Sequence, residues 1–318
     1  MPESQIEIID QIMSKPEIIE GFGSELSPQA SAKLLAELLF EITNRTGTKL
    51  VEVRDRETIR KKGTFRYSGQ ADTMHEEGLM PHDVYEGLEK IGIDRHVGPS
   101  YLRVKGLLTH HDVRRLFGRQ MAFAIKSYLE EHPLEKDGYL VIVPNMTGGV
   151  WIGDETAKQA REVLGDKVWP VTPYARETRK AIEAIDKGAR FSDCVEGLMP
   201  SPEETAAVFC FEELRTSAET TQNATNIYRR LGHYDSDNGV RIVEGCVFDY
   251  RHPVGVERLR RLQTDALYLV EGVPFFNEAQ SMGYISGGQN ETVGYWLRDP
   301  WSFTREILPD LAALAGTR

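Results

Sequence analysis

Along residues 27–43, SPQASAKLLAELLFEIT, apolar positions return at Leu34, Leu35, Leu38, Leu39 and Ile42, the spacing of one helix face. Ser27 and Pro28 supply a cap and a first helical residue. Residues 44–98 are polar and broken by glycine, with one helical pattern at 82–91. The stretch GPSYLRVKG, 98–106, alternates enough for an edge strand. Thr109 then opens a long helical pattern, THHDVRRLFGRQMAFAIKSYLEEH, with Asp112 at the spacing of an acidic cap.

From residue 138 the element types alternate. GYLVIVP (138–144), KVWPVTPY (167–174), TAAVFCF (205–211), VRIVEGCVFDY (240–250) and ALYLVEG (266–272) read as strands. Helical patterns at about 154–164, 219–231 and 254–263 separate them. Apolar strands joined by helices of about three turns imply crossover units, an α/β fold with a mostly parallel sheet covered on both faces. Ligands of such sheets bind at the carboxyl ends of the strands. That points to the chain following Pro144 and Phe211.

Composition narrows the partners. The 318 residues suffice for a large core, and a net charge of -11 argues against a nucleic-acid footprint. Cys194, Cys210 and Cys246 lie far apart, without CxxC or CxxH spacing, and read as reduced thiols of a cytoplasmic protein. The acidic N-terminus has no signal-peptide core, and no apolar run approaches membrane-spanning length. Small molecules and further copies of the chain are the expected partners.

The stretch VFCFEELRTSAETTQNA, 208–224, runs from an apolar strand into Glu212 and Glu213 and then into Thr216, Ser217, Thr220 and Thr221. Paired carboxylates suit the 2'- and 3'-hydroxyls of a ribose. A helix start offers unpaired N–H groups and the positive end of a dipole to a phosphate. Ordinary capping by Thr216 or Ser217, with solvated glutamates, explains the same residues.

This stretch resembles the signature of the type I phosphoribosyltransferases: an apolar strand, two acidic residues, two variable residues, and a threonine- and glycine-rich phosphate loop. The resemblance implies that Glu212 and Glu213 hold the ribose of phosphoribosyl pyrophosphate (PRPP), that Leu214 and Arg215 are the variable pair, and that Thr216, Ser217, Ala218, Glu219 and Thr220 cradle the 5-phosphate. The chain departs from the pattern in two ways. Glutamates stand where aspartates are usual, and Ala218 and Glu219 fill the two small positions. A negative side chain beside a phosphate predicts weak or absent phosphate affinity unless Glu219 points away.

Asn145, Met146, Thr147, Gly148 and Gly149 follow the first strand of the series and resemble the family's pyrophosphate loop, since glycines let N–H groups approach an anion. A turn required by the crossover is the alternative. YARETRKAIEAIDKGARFSDCVEG is similar to the mobile basic loop of the orotate phosphoribosyltransferases, with Arg176 and Lys180 as the candidate catalytic residues. Similarity at lower quality covers about residues 98–275, flanked by an N-terminal helical extension and possible hood (1–97) and a C-terminal extension (276–318). Phe248, Tyr250 and His252 suit either a base pocket or core packing, and Lys105 either a substrate carboxylate or the surface. His110 and His111 are adjacent helical positions, a poor geometry for a metal, and no metal site is expected.

The resemblance implies a homodimer that binds PRPP with Mg2+ and transfers its phosphoribosyl group to an acceptor base, orotate being the first to consider. The alternative is a catalytically degenerate PRPP- or nucleotide-binding regulatory protein. A third reading is another α/β enzyme whose helix-start loop imitates the signature.

Overall fold

The computed structural model describes residues 4–145, 148–176, 183 and 185–316. Three helices open the chain: α1 (Gln5–Met13), α2 (Pro16–Glu20) and α3 (Pro28–Thr46). The Ser27 hydroxyl accepts the Ala30 N–H at the start of α3, and Gly47, at φ 73°, ends it in the left-handed region. The polar region 44–98 folds into short elements: β1 (Val51–Val53), α4 (Arg56–Lys62), β2 (Phe65–Gln70), α5 (Ala71–Glu76), α6 (His82–Lys90) and β3 (Arg95–Gly98). β2 pairs with β3, and β1 with β4 (Ser100–Leu102), both antiparallel.

Two sequence expectations change here. The edge strand of 98–106 shortens to β4, and the one-turn helix α7 (Val104–Leu107) takes its end. The long helix α8 (His111–Glu131) lacks the acidic cap, because the Thr109 hydroxyl donates to the Gly106 carbonyl and His110 stands at the N-cap without a side-chain bond.

The second half supplies β5 (Tyr139–Pro144), α9 (Val150–Leu164), β6 (Tyr174–Ala175), α10 (Phe191–Cys194), β7 (Val195–Glu196), β8 (Thr205–Arg215), α11 (Glu219–Gly232), β9 (Arg241–Asp249), α12 (Pro253–Leu262) and β10 (Asp265–Glu271). Three helices complete the chain: α13 (Gly272–Ser281), α14 (Gly287–Arg298) and α15 (Pro300–Gly316). The central sheet runs β10-β9-β8-β5, all parallel, as the alternation of elements requires. The strand expected over 167–174 is reduced to a bridge at Val168 and to β6, which pairs with β7. Pro170 and Pro173 carry no N–H to give a neighbouring strand.

Each face of the sheet has its own core. Phe209, Phe211, Val247 and Phe248 belong to a large cluster that takes in α3, Trp296 of α14 and Phe303 of α15. Val141, Val143, Val208 and Cys210 pack with Ile227, Tyr228 and Tyr234. The two chain ends meet directly where the Trp296 indole N–H donates to the Val97 carbonyl at 3.1 Å.

Candidate functional site

The acidic pair does not lie in a loop. β8 continues four residues beyond Phe211, with Glu212 opposite Cys246, Leu214 opposite Phe248 and Arg215 opposite Asp249. Arg215 explains the extension. Its guanidinium, 2% exposed, donates through Nε and Nη2 to Asp249 Oδ2 at 3.0 and 2.7 Å, and through Nη1 to the Glu244 carbonyl at 3.0 Å. A residue expected to be variable therefore clamps the carboxyl ends of two strands and fixes where Glu212 and Glu213 stand.

Glu212 is half-buried and accepts the Thr221 hydroxyl at 3.1 Å. The Asn145 carboxamide lies near enough to favour the carboxylate but short of full hydrogen-bond geometry. Burial first, and the charge of Glu213 second, push the Glu212 carboxyl from its ordinary 4.5 to about 7. Glu213 is raised by burial, against which the Lys105 ammonium acts. Behind them Glu244 is fully buried, accepts the Thr225 hydroxyl at 2.9 Å and is pushed well up by burial and by the charge of Glu212.

The glycines after β5 close against this pair. A Cβ on Gly148 would fall 1.6 Å from Glu213 Oε2, and one on Gly149 would fall 1.8 Å from the Phe211 carbonyl oxygen. Asn145 N–H donates to that same carbonyl at 2.9 Å, and Gly149 N–H to the Asn145 carbonyl at 2.9 Å. The Gly149 backbone thus packs on the strand end only because it lacks a side chain, and Gly148 leaves the space that the Glu213 carboxylate fills. Met146 and Thr147 lie outside the described residues.

The segment proposed as the phosphate cradle is covered. Thr216, Ser217 and Ala218 are buried, and Glu219 and Thr220 are half-buried. Ala218 sits at φ 55° as the N-cap of α11, the left-handed region that disfavours a Cβ. A Cβ on Gly255 of α12 would meet the Thr216 carbonyl oxygen at 2.3 Å, and one on Gly69 of β2 would meet Ser217 Oγ at 2.6 Å. Arg258 Nη1 donates to the Ser217 carbonyl at 2.8 Å, while Gln70 N–H donates to Glu219 Oε2 at 3.1 Å. Glu219 thus turns its carboxylate to the N-terminal segment.

The remaining candidates are placed as follows. Arg176 follows β6, and its Nη2 pairs with Glu196 Oε1 at 2.8 Å, both side chains about half exposed. Lys180 lies outside the described residues. Phe248, Tyr250 and His252 are fully buried in an aromatic cluster with Tyr67, His96 and Trp296, so packing accounts for all three. Sequence reasoning missed Gln70, Glu77 and Arg258, which reach the site from 140 or more residues away or from the next crossover helix; no local pattern marks them. Thr221 was visible as part of the hydroxyl cluster, but its service to Glu212 depends on the helix turning it back.

No protein-family model matches the sequence, and no curated protein matches it. Among solved structures the chain is similar to the UMP synthase of Leishmania donovani, at 14% identity and a TM-score of 0.51, over 85% of this chain and 43% of that one. The chain has a type I phosphoribosyltransferase-like fold. It spans less than half the length of that UMP synthase. Lower scores relate the phosphoribosyltransferase-like chain to the orotate phosphoribosyltransferase of Francisella tularensis (8% identity, TM-score 0.43, 64% of this chain and 87% of that one). They also relate it to that of Mycobacterium tuberculosis in complex with PRPP (12%, 0.34, 77% and 98%). Among the described residues of this phosphoribosyltransferase-like chain, no helix is long and apolar enough to cross a membrane.

Proposed function

We propose that the protein is a phosphoribosyltransferase that binds PRPP and transfers its phosphoribosyl group to the nitrogen of an acceptor base, orotate first among those to test, releasing pyrophosphate. The observation that carries this reading is the closure of the Gly148–Gly149 turn on the Glu212–Glu213 pair at the carboxyl ends of parallel strands. The carboxylates accept the ribose hydroxyls and orient the sugar. The N–H groups at the start of α9, next to the glycine turn, are the donors for the diphosphate. Arg176, next after Ala175, which bridges Asn145, is the cation to balance charge on the departing pyrophosphate once it exchanges Glu196 for ligand. Holding sugar and base in register supplies the rest of the rate enhancement.

The carboxylate oxygens of Glu212 and Glu213 are hard donors of the kind magnesium takes, alongside the oxygens of PRPP itself. Bound magnesium would neutralise diphosphate charge. We extend the reading to a homodimer, as the resemblance to the orotate enzymes implies. A second reading, a nucleotide-binding protein without turnover, is favoured by Glu219 and the covered loop.

Calorimetric titration with PRPP, with and without magnesium, tests the proposal. Magnesium-dependent binding that Glu213→Gln weakens by tenfold or more supports it, on the order expected for loss of a charged hydrogen-bond acceptor. Binding untouched by Glu212→Gln and by Glu213→Gln removes the acidic pair from the site.

A further inference from the structure

Resting on that reading, we infer that Gly69–Glu77 is a gate over the loop 216–220, and that Glu77, Arg258 and Glu219 form its latch. β2 ends on the loop: the Gly69 backbone lies so close to Ser217 that a side chain would not fit, and Gln70 N–H is held by Glu219. α5 then leads to Glu77, whose Oε2 accepts Arg258 Nε at 2.9 Å and Nη2 at 2.7 Å. The same guanidinium, 1% exposed, holds the Ser217 carbonyl. One cation thus ties the gate to the loop. Gly78, at φ 66° with open space where a Cβ would sit, is the turn at the far end of the segment.

The chemistry of the latch makes it responsive to an anion. A sugar phosphate arriving at the start of α11 brings negative charge to the N–H groups of that helix and repels the Glu219 carboxylate. Displacing Glu219 breaks its bond to the Gln70 N–H, and Arg258, already beside Ser217, is the cation on hand for the incoming oxygens. Glu77 is its competitor. The closed arrangement lowers apparent affinity by the fraction of molecules that are open, and anything that weakens the latch raises it.

Amide exchange across 66–78 and PRPP titration are measured together on wild-type protein and Glu77→Gln. A gate predicts exchange at 69–77 faster by about tenfold in Glu77→Gln, with PRPP bound tighter by a similar factor. Exchange unchanged in Glu77→Gln, or faster exchange with unchanged PRPP affinity, overturns the latch. PRPP failing to bind even where exchange shows the segment open sinks the phosphoribosyl reading and the gate together, whereas unchanged binding sinks the gate alone. A second variant covers misfolding. Glu77→Asp keeps the charge and draws the carboxylate back from Arg258. It is expected to speed exchange at 69–77 and tighten PRPP binding in the same direction as Glu77→Gln but by less; movement of neither overturns the gate.

Discussion

At the scale of single residues, the site is defined by where charge and small size are tolerated. The Glu212 carboxyl, raised from 4.5 to about 7 chiefly by burial, is part-protonated near neutrality. Between those pH values the folded protein binds more protons than the unfolded chain. Stability is therefore expected to fall as pH rises from about 4.5 to 7 and to level off above it, and Glu212→Gln to remove that component, read by chemical denaturation across the range. PRPP affinity is expected to run the other way, rising through pH 7 as the carboxylate forms, with a flatter profile in Glu212→Gln. The two glycines separate function from stability. Gly148→Ala presses on the mobile end of Glu213, so binding should drop while Tm barely moves. Gly149→Ala presses on the Phe211 backbone carbonyl and should cost about 1–3 kcal/mol of stability.

At the scale of elements, strand β8 decides the geometry. An apolar pattern ends at Phe211, yet the strand runs to Arg215 because a buried guanidinium bridges Asp249 and the Glu244 carbonyl. Removing one partner of such a pair leaves the other charge buried and alone. Arg215→Ala is expected to cost about 3–5 kcal/mol by urea denaturation. The apolar runs and the crossover helices were legible in the sequence. The extension of β8 was not, because Arg215 finds Asp249 only after two strands separated by a helix have paired in register.

At the scale of the whole molecule, the two chain ends are structural partners. Tyr67 stacks on Trp296 at 5.2 Å between ring centroids, and His96 meets His252 edge-on at 4.3 Å in the same buried cluster. This cluster supports the β2–β3 hairpin, and with it the segment that covers the phosphate loop. Trp296→Ala is expected to cost about 3–5 kcal/mol, seen as a lowered urea midpoint, and to loosen amide exchange in β2 and β3 as well as in α14. Exchange changes confined to α14 would show that the two ends are independent.

The sequence was enough to read the parallel sheet, the helix α11 and an acidic pair toward the carboxyl end of a strand, though not that the strand runs on through the pair to Arg215, because the former follow from local periodicity and from charge set beside apolar runs. It also placed the Gly148–Gly149 turn after a strand. The tertiary structure alone decided that Ser217 lies beneath Gly69, that Glu219 answers Gln70 and that Arg258 joins Glu77 to the loop. Those contacts link residues separated by 41 to 181 positions, and no repeat or spacing along the chain encodes a hydrogen bond between elements that meet only when the core closes.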